Sequence, residues 1–371
     1  MNLSKLVLKN FRNYGTKEID FHPLVNVITG LNAQGKSNLL EAIGYLSTLS
    51  SFRGAKDLDM VRWGCPYFFL EGLIKKNTGD YTISLGYNLE NKKLLKVNGS
   101  ARKKFNEVLG ILNSVVFSPE DLNIVKLGPA ARRKYLDGEM MQLFPTYYFT
   151  LMQYQKIIQQ RNNLLKEIRE KKQQEEMLDI WDEQLGENGA KIIKKRLEVL
   201  QKLAPLARLT HRKITEGEEE LEITYESVDQ EEILKKITWE KIKEILHTMI
   251  RENRKNEIIK GVSLFGPHRD DLKLMVNGID VRKFGSQGQQ RTTALSLKMA
   301  ELELMKSETG EYPILLLDDV MSELDEKRRS HLIAMMGDKI QTFITTTDMA
   351  FHFREGQVMK VFQGEIKYLN V

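Results

Sequence analysis

The chain holds a single cysteine, Cys65, in 371 residues. That excludes an intrachain disulfide and any zinc cage built from several cysteines, and it leaves Cys65 as a filler in a reducing compartment. Histidine is scarce too, at six. His268, in Gly266-Pro267-His268-Arg269-Asp270-Asp271, has no second ligand near it, so a structural hydrogen-bonding turn at the head fits better than a metal or catalytic cluster. No apolar run approaches the roughly 18 residues of a membrane span, and the first residues carry no signal-peptide core, so a soluble cytoplasmic protein is expected. Zinc-finger and helix-turn-helix patterns are missing, which leaves sequence-specific base readout unsupported. Internal repeats and low-complexity tracts are absent as well.

What is present is a mild basic excess, +5 with a pI near 8.9, which fits a nucleic-acid partner without proving one. The length allows about two domains with cores of their own. The most specific segment is Gly30-Leu31-Asn32-Ala33-Gln34-Gly35-Lys36-Ser37, straight after the apolar run Val25–Ile28. Two glycines separated by four residues, then Lys and Ser, in strand–loop–helix context, form a phosphate-binding loop. Glycines let backbone N–H groups point inward at a phosphate chain, and the next helix adds its positive end. That helix is predicted from Lys36 to about Leu49, with Leu39, Leu40, Ile43, Leu46 and Leu49 on its buried face. Lys36 is expected to reach the β- and γ-phosphates, with Asn38 also counted among the nucleotide contacts. The Ser37 hydroxyl is expected to ligate Mg²⁺. The implied ligand is ATP with Mg²⁺.

The first hundred residues otherwise read as strands, at Leu3–Lys9, Glu18–Phe21, Phe68–Ile74 and Tyr81–Asn88. Hairpin signals fall at Asn98-Gly99 and at Asn277-Gly278. From about Pro129 to Lys260 the chain is glycine-poor and helical in period. One stripe is Ile157, Leu164, Leu165 and Ile168, and another is Ile193, Leu197, Leu200 and Leu203. Some 30 helical residues span about 45 Å, so this stretch reads either as a short arm of antiparallel helices or as an ordinary helical subdomain. The acidic segment Glu216–Glu222 reads as a solvated loop. The last third returns to α/β, with buried strands at Ile314–Leu317 and Lys339–Thr345.

Ile314-Leu315-Leu316-Leu317-Asp318-Asp319 is an apolar strand ending in two carboxylates. Asp318 is expected to hold Mg²⁺ or its water shell, and Asp319 to orient or accept a proton from the attacking water. Upstream, Phe284-Gly285-Ser286-Gln287-Gly288-Gln289-Gln290-Arg291 is a small-polar turn opening a helix, a second anion-binding terminus. In this order, with Ser322-Glu323-Leu324-Asp325 following, the motifs resemble the ABC-type ATPase heads of the SMC-like class. In detail they resemble the RecF family of bacterial recombination mediators. Lys9-Asn10-Phe11-Arg12-Asn13-Tyr14, Phe117-Ser118-Pro119-Glu120-Asp121-Leu122, Arg161-Asn162-Asn163-Leu164-Leu165-Lys166 and Gly266-Pro267-His268-Arg269-Asp270-Asp271 add to the likeness.

The resemblance implies an α/β fold: an ABC-type P-loop ATPase head, split in sequence (1–128 and 261–371), with an inserted α-helical arm, or lobe II (129–260). It makes Ser286, Gly288 and Gln289 the signature that caps the γ-phosphate held by the other subunit of an ATP-dependent homodimer. It puts Asp325 in the loop between the two sites, Arg12 near the nucleotide, and Thr346, Thr347 and Asp348 at the switch position. It further implies a DNA-binding switch with weak DNA-dependent ATPase activity in DNA repair, replication, recombination and the SOS response, acting with RecR and RecO to load RecA at gaps. Two departures from the ABC pattern stand out: Asp319 occupies a position usually held by Glu, and no Q-loop glutamine is evident near Ser118–Asp121. A base one methylene shorter predicts slow turnover.

Lysines and arginines cluster at Lys92, Lys93, Lys96, Arg102, Lys103 and Lys104, at Arg132, Arg133 and Lys134, and at Lys191, Lys194, Lys195 and Arg196. These runs fit phosphate neutralisation along DNA, single- or double-stranded, or simply solvated faces. The rival readings are the ATPase subunit of a membrane transporter, which calls for a Q-loop and a membrane-docking domain, and a P-loop kinase or nuclease-linked ATPase.

Overall fold

The computed structural model describes residues 1–90, 92–227, 238–322, 324–337, 339–347 and 355–369. The chain divides into two compact units, Met1–Leu122 together with Ala294–Val371, and Asn123–Thr293.

The first unit contains two six-stranded sheets. One is antiparallel, in the order β2-β1-β4-β5-β6-β7, built from β1 (Asn2–Phe11), β2 (Tyr14–Asp20), β4 (Tyr67–Lys76), β5 (Gly79–Asn88), β6 (Lys93–Val97) and β7 (Ser100–Ala101). The other runs β15-β14-β3-β13-β12-β8, from β3 (Val25–Thr29), β8 (Ser114–Phe117), β12 (Ile314–Asp318), β13 (Thr342–Thr346), β14 (Gly356–Phe362) and β15 (Glu365–Leu369). All its neighbours are parallel except β15 on β14. Every residue of β3, β12 and β13 is buried, as a parallel sheet covered on both faces requires.

The helix Lys36–Thr48 packs against strands of both sheets. Leu39, Leu40, Ile43 and Leu46 are at most 1% exposed, and at about 1.5–3 kcal/mol each their burial holds the helix start still. It stops at Leu49, whose left-handed backbone (φ 55°) turns its N–H onto the Tyr45 carbonyl.

The second unit carries the helices Pro129–Leu143, Pro145–Arg169, Leu178–Ile214, Trp239–Glu252 and Arg254–Lys260. The two apolar stripes read from the sequence are buried in it. It also carries a three-stranded antiparallel sheet in the order β11-β10-β9, from β9 (Leu221–Glu226), β10 (Asp271–Val276) and β11 (Ile279–Asp280). Because β10 pairs with β9 along its whole length, residues 261–293 fold with the helices. The observed boundaries, 123 and 294, therefore differ from the expected 129 and 261. The acidic segment is corrected too. Only its first part is a loop, and from Leu221 it is a strand in which Leu221, Ile223 and Tyr225 face inward.

Two arginines are fully buried in this unit. Arg161 bonds Asp182, Glu257 and Ser263, and Arg196 bonds Asp137, Tyr147, Tyr225 and the Pro267 carbonyl. Planar forks satisfied on several sides are the condition under which a buried guanidinium is tolerated. Asp270 accepts from Tyr225 and Ser227, and burial pushes its carboxyl up to about 6. His268 takes the structural role read for it, with Nδ1 2.8 Å from the Tyr154 hydroxyl and Nε2 3.1 Å from the Ser263 carbonyl. It lies in this unit and not in the ATPase head.

Candidate functional site

Gly30–Ser37 joins β3 to the helix Lys36–Thr48, as the sequence predicts. Its shape is set by close backbone approach. A Cβ on Gly30 (φ 152°) would lie 2.4 Å from the Val361 carbonyl oxygen, and one on Gly35 (φ 117°) 2.5 Å from the Asn13 side chain. Ala33 is also left-handed, at φ 61°. Leu31, Asn32 and Ala33 form the exposed rim of the loop.

Two hairpin turns brace the loop from outside. In the Phe11–Tyr14 turn, Asn13 Nδ2 donates to the Gln34 carbonyl (2.9 Å) and the buried Tyr14 hydroxyl to the Gly35 carbonyl (2.9 Å). In the β14–β15 turn, the backbone N–H groups of Gln363 and Gly364 donate to the Gln34 side chain and carbonyl. Asn38 donates to Asn13 and accepts from Arg53. Lys36 is 4% exposed, its ammonium donating to the carbonyls of Gly30 (2.8 Å) and Leu31 (3.1 Å).

The carboxylate pair stands at the same sheet edge. Asp318 on β12 pairs in register with Thr345 on β13, and Thr345 with Ile28 on β3, so all three strands end level with the loop. Thr345 is fully buried, and its hydroxyl holds the pair: Oγ1 donates to Asp318 Oδ1 (2.8 Å) and accepts the Asp319 N–H (2.9 Å). Asp319 has a left-handed backbone (φ 55°). Burial holds its carboxyl above the ordinary carboxylate range, with Lys36 opposing the rise and Asp318 adding to it.

The donor set fits Mg²⁺. Among the described residues the Ser37 hydroxyl has no hydrogen-bond partner, and a hydroxyl and one carboxylate, Asp318, offered from the same sheet edge are the hard-oxygen donors that Mg²⁺ takes together with substrate phosphates. No cluster of three or more His, Cys, Asp or Glu side chains able to hold a metal occurs among the described residues.

Other candidate residues have different occupations. Arg12 forms a two-pronged pair with the fully buried Glu41 (2.8 Å on both prongs) and donates to the Asp59 carbonyl, so its fork ties the first hairpin to the phosphate-loop helix. Ser286 and Gln289 cap the helix Gln287–Thr309 reciprocally: the Ser286 N–H donates to Gln289 Oε1 (3.0 Å), and the Gln289 N–H to Ser286 Oγ (3.2 Å). Gly288 lies in the first turn of that helix. Asp325 caps the helix Glu326–Met336 through the Arg328 N–H and pairs with the Arg328 side chain. Ser118–Asp121 is a capped turn in which Asp121 accepts the Ser118 N–H; burial pushes its carboxyl up to about 6, opposed by Lys298. Thr346 ends β13, Thr347 is exposed, and Asp348 lies outside the described residues.

The basic clusters are corrected in part. Arg132 is buried in a two-pronged pair with Asp271, and Arg196 belongs to the buried network above; neither faces a partner. Arg133 donates to the Asp270 carbonyl, Lys92 pairs with Glu90, Lys93 with Asp57, Lys191 with Glu187 and Lys195 with Glu198. Arg102, Lys103, Lys104 and Lys134 are exposed.

The phosphate loop, the carboxylate strand two places away and the helical insertion define an ABC-type P-loop ATPase head of the SMC-like class, split in sequence. Comparisons narrow the class. Residues 2–368 match the family model described as RecF/RecN/SMC N terminal domain. "DNA replication and repair protein RecF" of Halothermothrix orenii is 50% identical over 349 residues, covering 94% of this chain and 92% of its own. Its namesake from Halalkalibacterium halodurans is 44% identical over 371 residues, covering 99% of both. The solved structure of the recombination mediator protein RecF-ATPrS in the RecFOR pathway superposes with a TM-score of 0.93 at 41% identity, covering 100% of this chain and 98% of that one. An SmcHead bound to the C-winged helix domain of ScpA, at 16% identity and a TM-score of 0.56, shares the fold. The chain belongs to the RecF family.

Sequence reading missed Thr345, Glu41 and the bracing roles of Asn13, Tyr14 and Gln363. Asn13 and Tyr14 sit in a segment that it quoted for likeness alone. Among the described residues no helix is long and apolar enough to cross a membrane.

Proposed function

We propose that this chain is an ATP-dependent DNA-binding protein of DNA repair, replication and recombination, in which nucleotide acts as an assembly signal. One observation carries the reading. A doubly braced phosphate loop and a carboxylate pair held by one buried hydroxyl share a sheet edge, while the Ser286–Gln289 turn belongs to the other unit as a separate anion-binding helix start. Two phosphate-binding elements per chain support two composite sites in a dimer. The names of the relatives supply DNA repair and the RecFOR pathway, and ATP figures in the name of another solved relative, RecF-ATP.

In this reading Lys36 leaves the Gly30 and Leu31 carbonyls to meet the β- and γ-phosphates, and the loop N–H groups cradle the chain. Ser37 and Asp318 would hold Mg²⁺, which when bound neutralises charge developing on the phosphates. Asp319 carries no side-chain hydrogen bond among the described residues, so its carboxylate is open to orient a water and take its proton. Its raised pKa suits a base, and its short side chain suits slow turnover, the behaviour of a timed clamp. Ser286, Gly288 and Gln289 would cap the γ-phosphate held by the partner subunit. Closure would bring two basic surfaces, including Arg102, Lys103, Lys104 and Lys134, onto DNA, with RecR and RecO as further partners in loading RecA.

Sedimentation with and without ATP–Mg²⁺, repeated with gapped DNA, tests this. Wild type should dimerise with ATP, Asp319→Asn should dimerise and stay closed, and Ser286→Arg should stay monomeric while still binding ATP. A wild-type chain that remains monomeric under every condition refutes the clamp.

A further inference from the structure

The acidic turn after the long helix Leu178–Ile214 is tightly held. The Glu218 and Glu219 N–H groups donate to the Thr215 carbonyl and hydroxyl, and the Glu220 N–H donates to the Asn277 side chain, which sits in the Asn277-Gly278 hairpin. Glu220 also pairs with Arg208. The result points Glu219 at the signature turn: its Oε1 accepts from Gln289 Nε2 (2.9 Å), and its Oε2 lies 3.2 Å from Nε2 of the fully buried His211.

An ionised carboxylate only accepts hydrogen bonds. The Gln289 amide must therefore present its nitrogen to Glu219 and its oxygen to the Ser286 N–H, the orientation found (3.0 Å). In the same cap Ser286 Oγ accepts the Gln289 N–H, so the hydroxyl hydrogen of this exposed serine stays free to donate outward. We propose that Glu219, steadied by His211, is the positioning residue of the signature turn: it fixes the Gln289 amide and keeps the Ser286 hydroxyl directed at an incoming phosphate. The acidic turn is thereby a support of the composite site. The proposal rests on the reading that Ser286 caps the partner's γ-phosphate.

The test uses the full chain with ATP–Mg²⁺, comparing wild type, Glu219→Ala, Glu219→Gln and, as control, Ser286→Arg. Nucleotide binding is titrated at protein concentrations too low for self-association, and the ATP-driven dimer is followed by sedimentation. Glu219→Ala should bind ATP within about twofold of wild type, yet lose about tenfold in dimer affinity for each of the two composite sites, the size of one hydrogen bond to a charged group. Glu219→Gln matches the shape and keeps an acceptor, so it should fold normally and fall between the two. Ser286→Arg monomeric with Glu219→Ala dimerising like wild type overturns the inference and spares the capping reading. Dimerisation retained in Ser286→Arg overturns that reading itself. A parallel loss of monomer ATP binding in Glu219→Gln would make Glu219 a merely structural residue and also overturn the inference.

Discussion

Replacing Thr345 by valine keeps the shape of a buried side chain and removes its hydroxyl. Two bonds disappear together, the donation to Asp318 at 2.8 Å and the acceptance of the Asp319 N–H at 2.9 Å. A hydrogen bond to a charged group contributes about 1.5–3 kcal/mol, and a buried N–H left without a partner costs about 1–3 kcal/mol. Together they predict a loss of about 2.5–6 kcal/mol in the unit that carries the sheet. The functional part is separable. If Asp318 holds Mg²⁺ as proposed, its carboxylate, freed of its donor, turns on its Cα–Cβ bond, so Mg²⁺-dependent ATP affinity should fall about tenfold to a hundredfold, the same 1.5–3 kcal/mol. Neither Lys36 nor the loop N–H groups bond Thr345, so affinity for ATP in the presence of a chelator should be unchanged. Titrating a fluorescent nucleotide with and without Mg²⁺ separates the two, and Thr345→Ser, which keeps the hydroxyl, should restore most of the loss. A valine variant with wild-type Mg²⁺ dependence and wild-type turnover would show that Thr345 is packing alone.

Gly30→Ala places a methyl group where only 2.4 Å separates it from the Val361 carbonyl oxygen, at a backbone φ of 152°. The loop has to distort, at a cost of about 1–3 kcal/mol, so nucleotide titration should show binding lost while circular dichroism stays native; normal binding would mean that the loop conformation is not the binding one. For pH, the relevant group is His268, which burial lowers to about 4 from 6.5. The unfolded chain takes up this proton first, so the contribution is present above about pH 6.5 and is lost as pH falls through about 4. The total, at 1.36 kcal/mol per pH unit, is about 3 kcal/mol. Denaturant melts of wild type and His268→Gln should therefore converge as pH falls across that window, and a constant gap would refute a neutral buried His268.

The parts of this molecule that were legible as sequence share one property: their chemistry requires neighbours along the chain. A phosphate loop needs its glycines, lysine and serine in one turn, and the carboxylate strand needs an apolar run ending in Asp, so the place of both in the fold was readable. The supports were not, because each is completed by a residue far away. Gln34 is braced by Gln363, Asp318 by Thr345 and Arg12 by Glu41, pairs made only once the parallel register of β3, β13 and β12 and the first hairpin exist. Charge misled for the same reason. Arg132 and Arg196 stood in basic runs, but their carboxylates, Asp271 and Asp137, lie 139 and 59 residues away. A guanidinium with a distant acid is indistinguishable in sequence from one awaiting a phosphate. β9 escaped although Leu221, Ile223 and Tyr225 keep the period of a half-buried strand, because that alternation starts inside an acidic run. The acidic run holds Glu219, which accepts from Gln289 in the helix-opening turn. A charge cluster therefore carries little meaning until the partner of each charge is known. In this protein the basic residues that remain candidates for DNA are those left exposed after the buried arginines have found their acids.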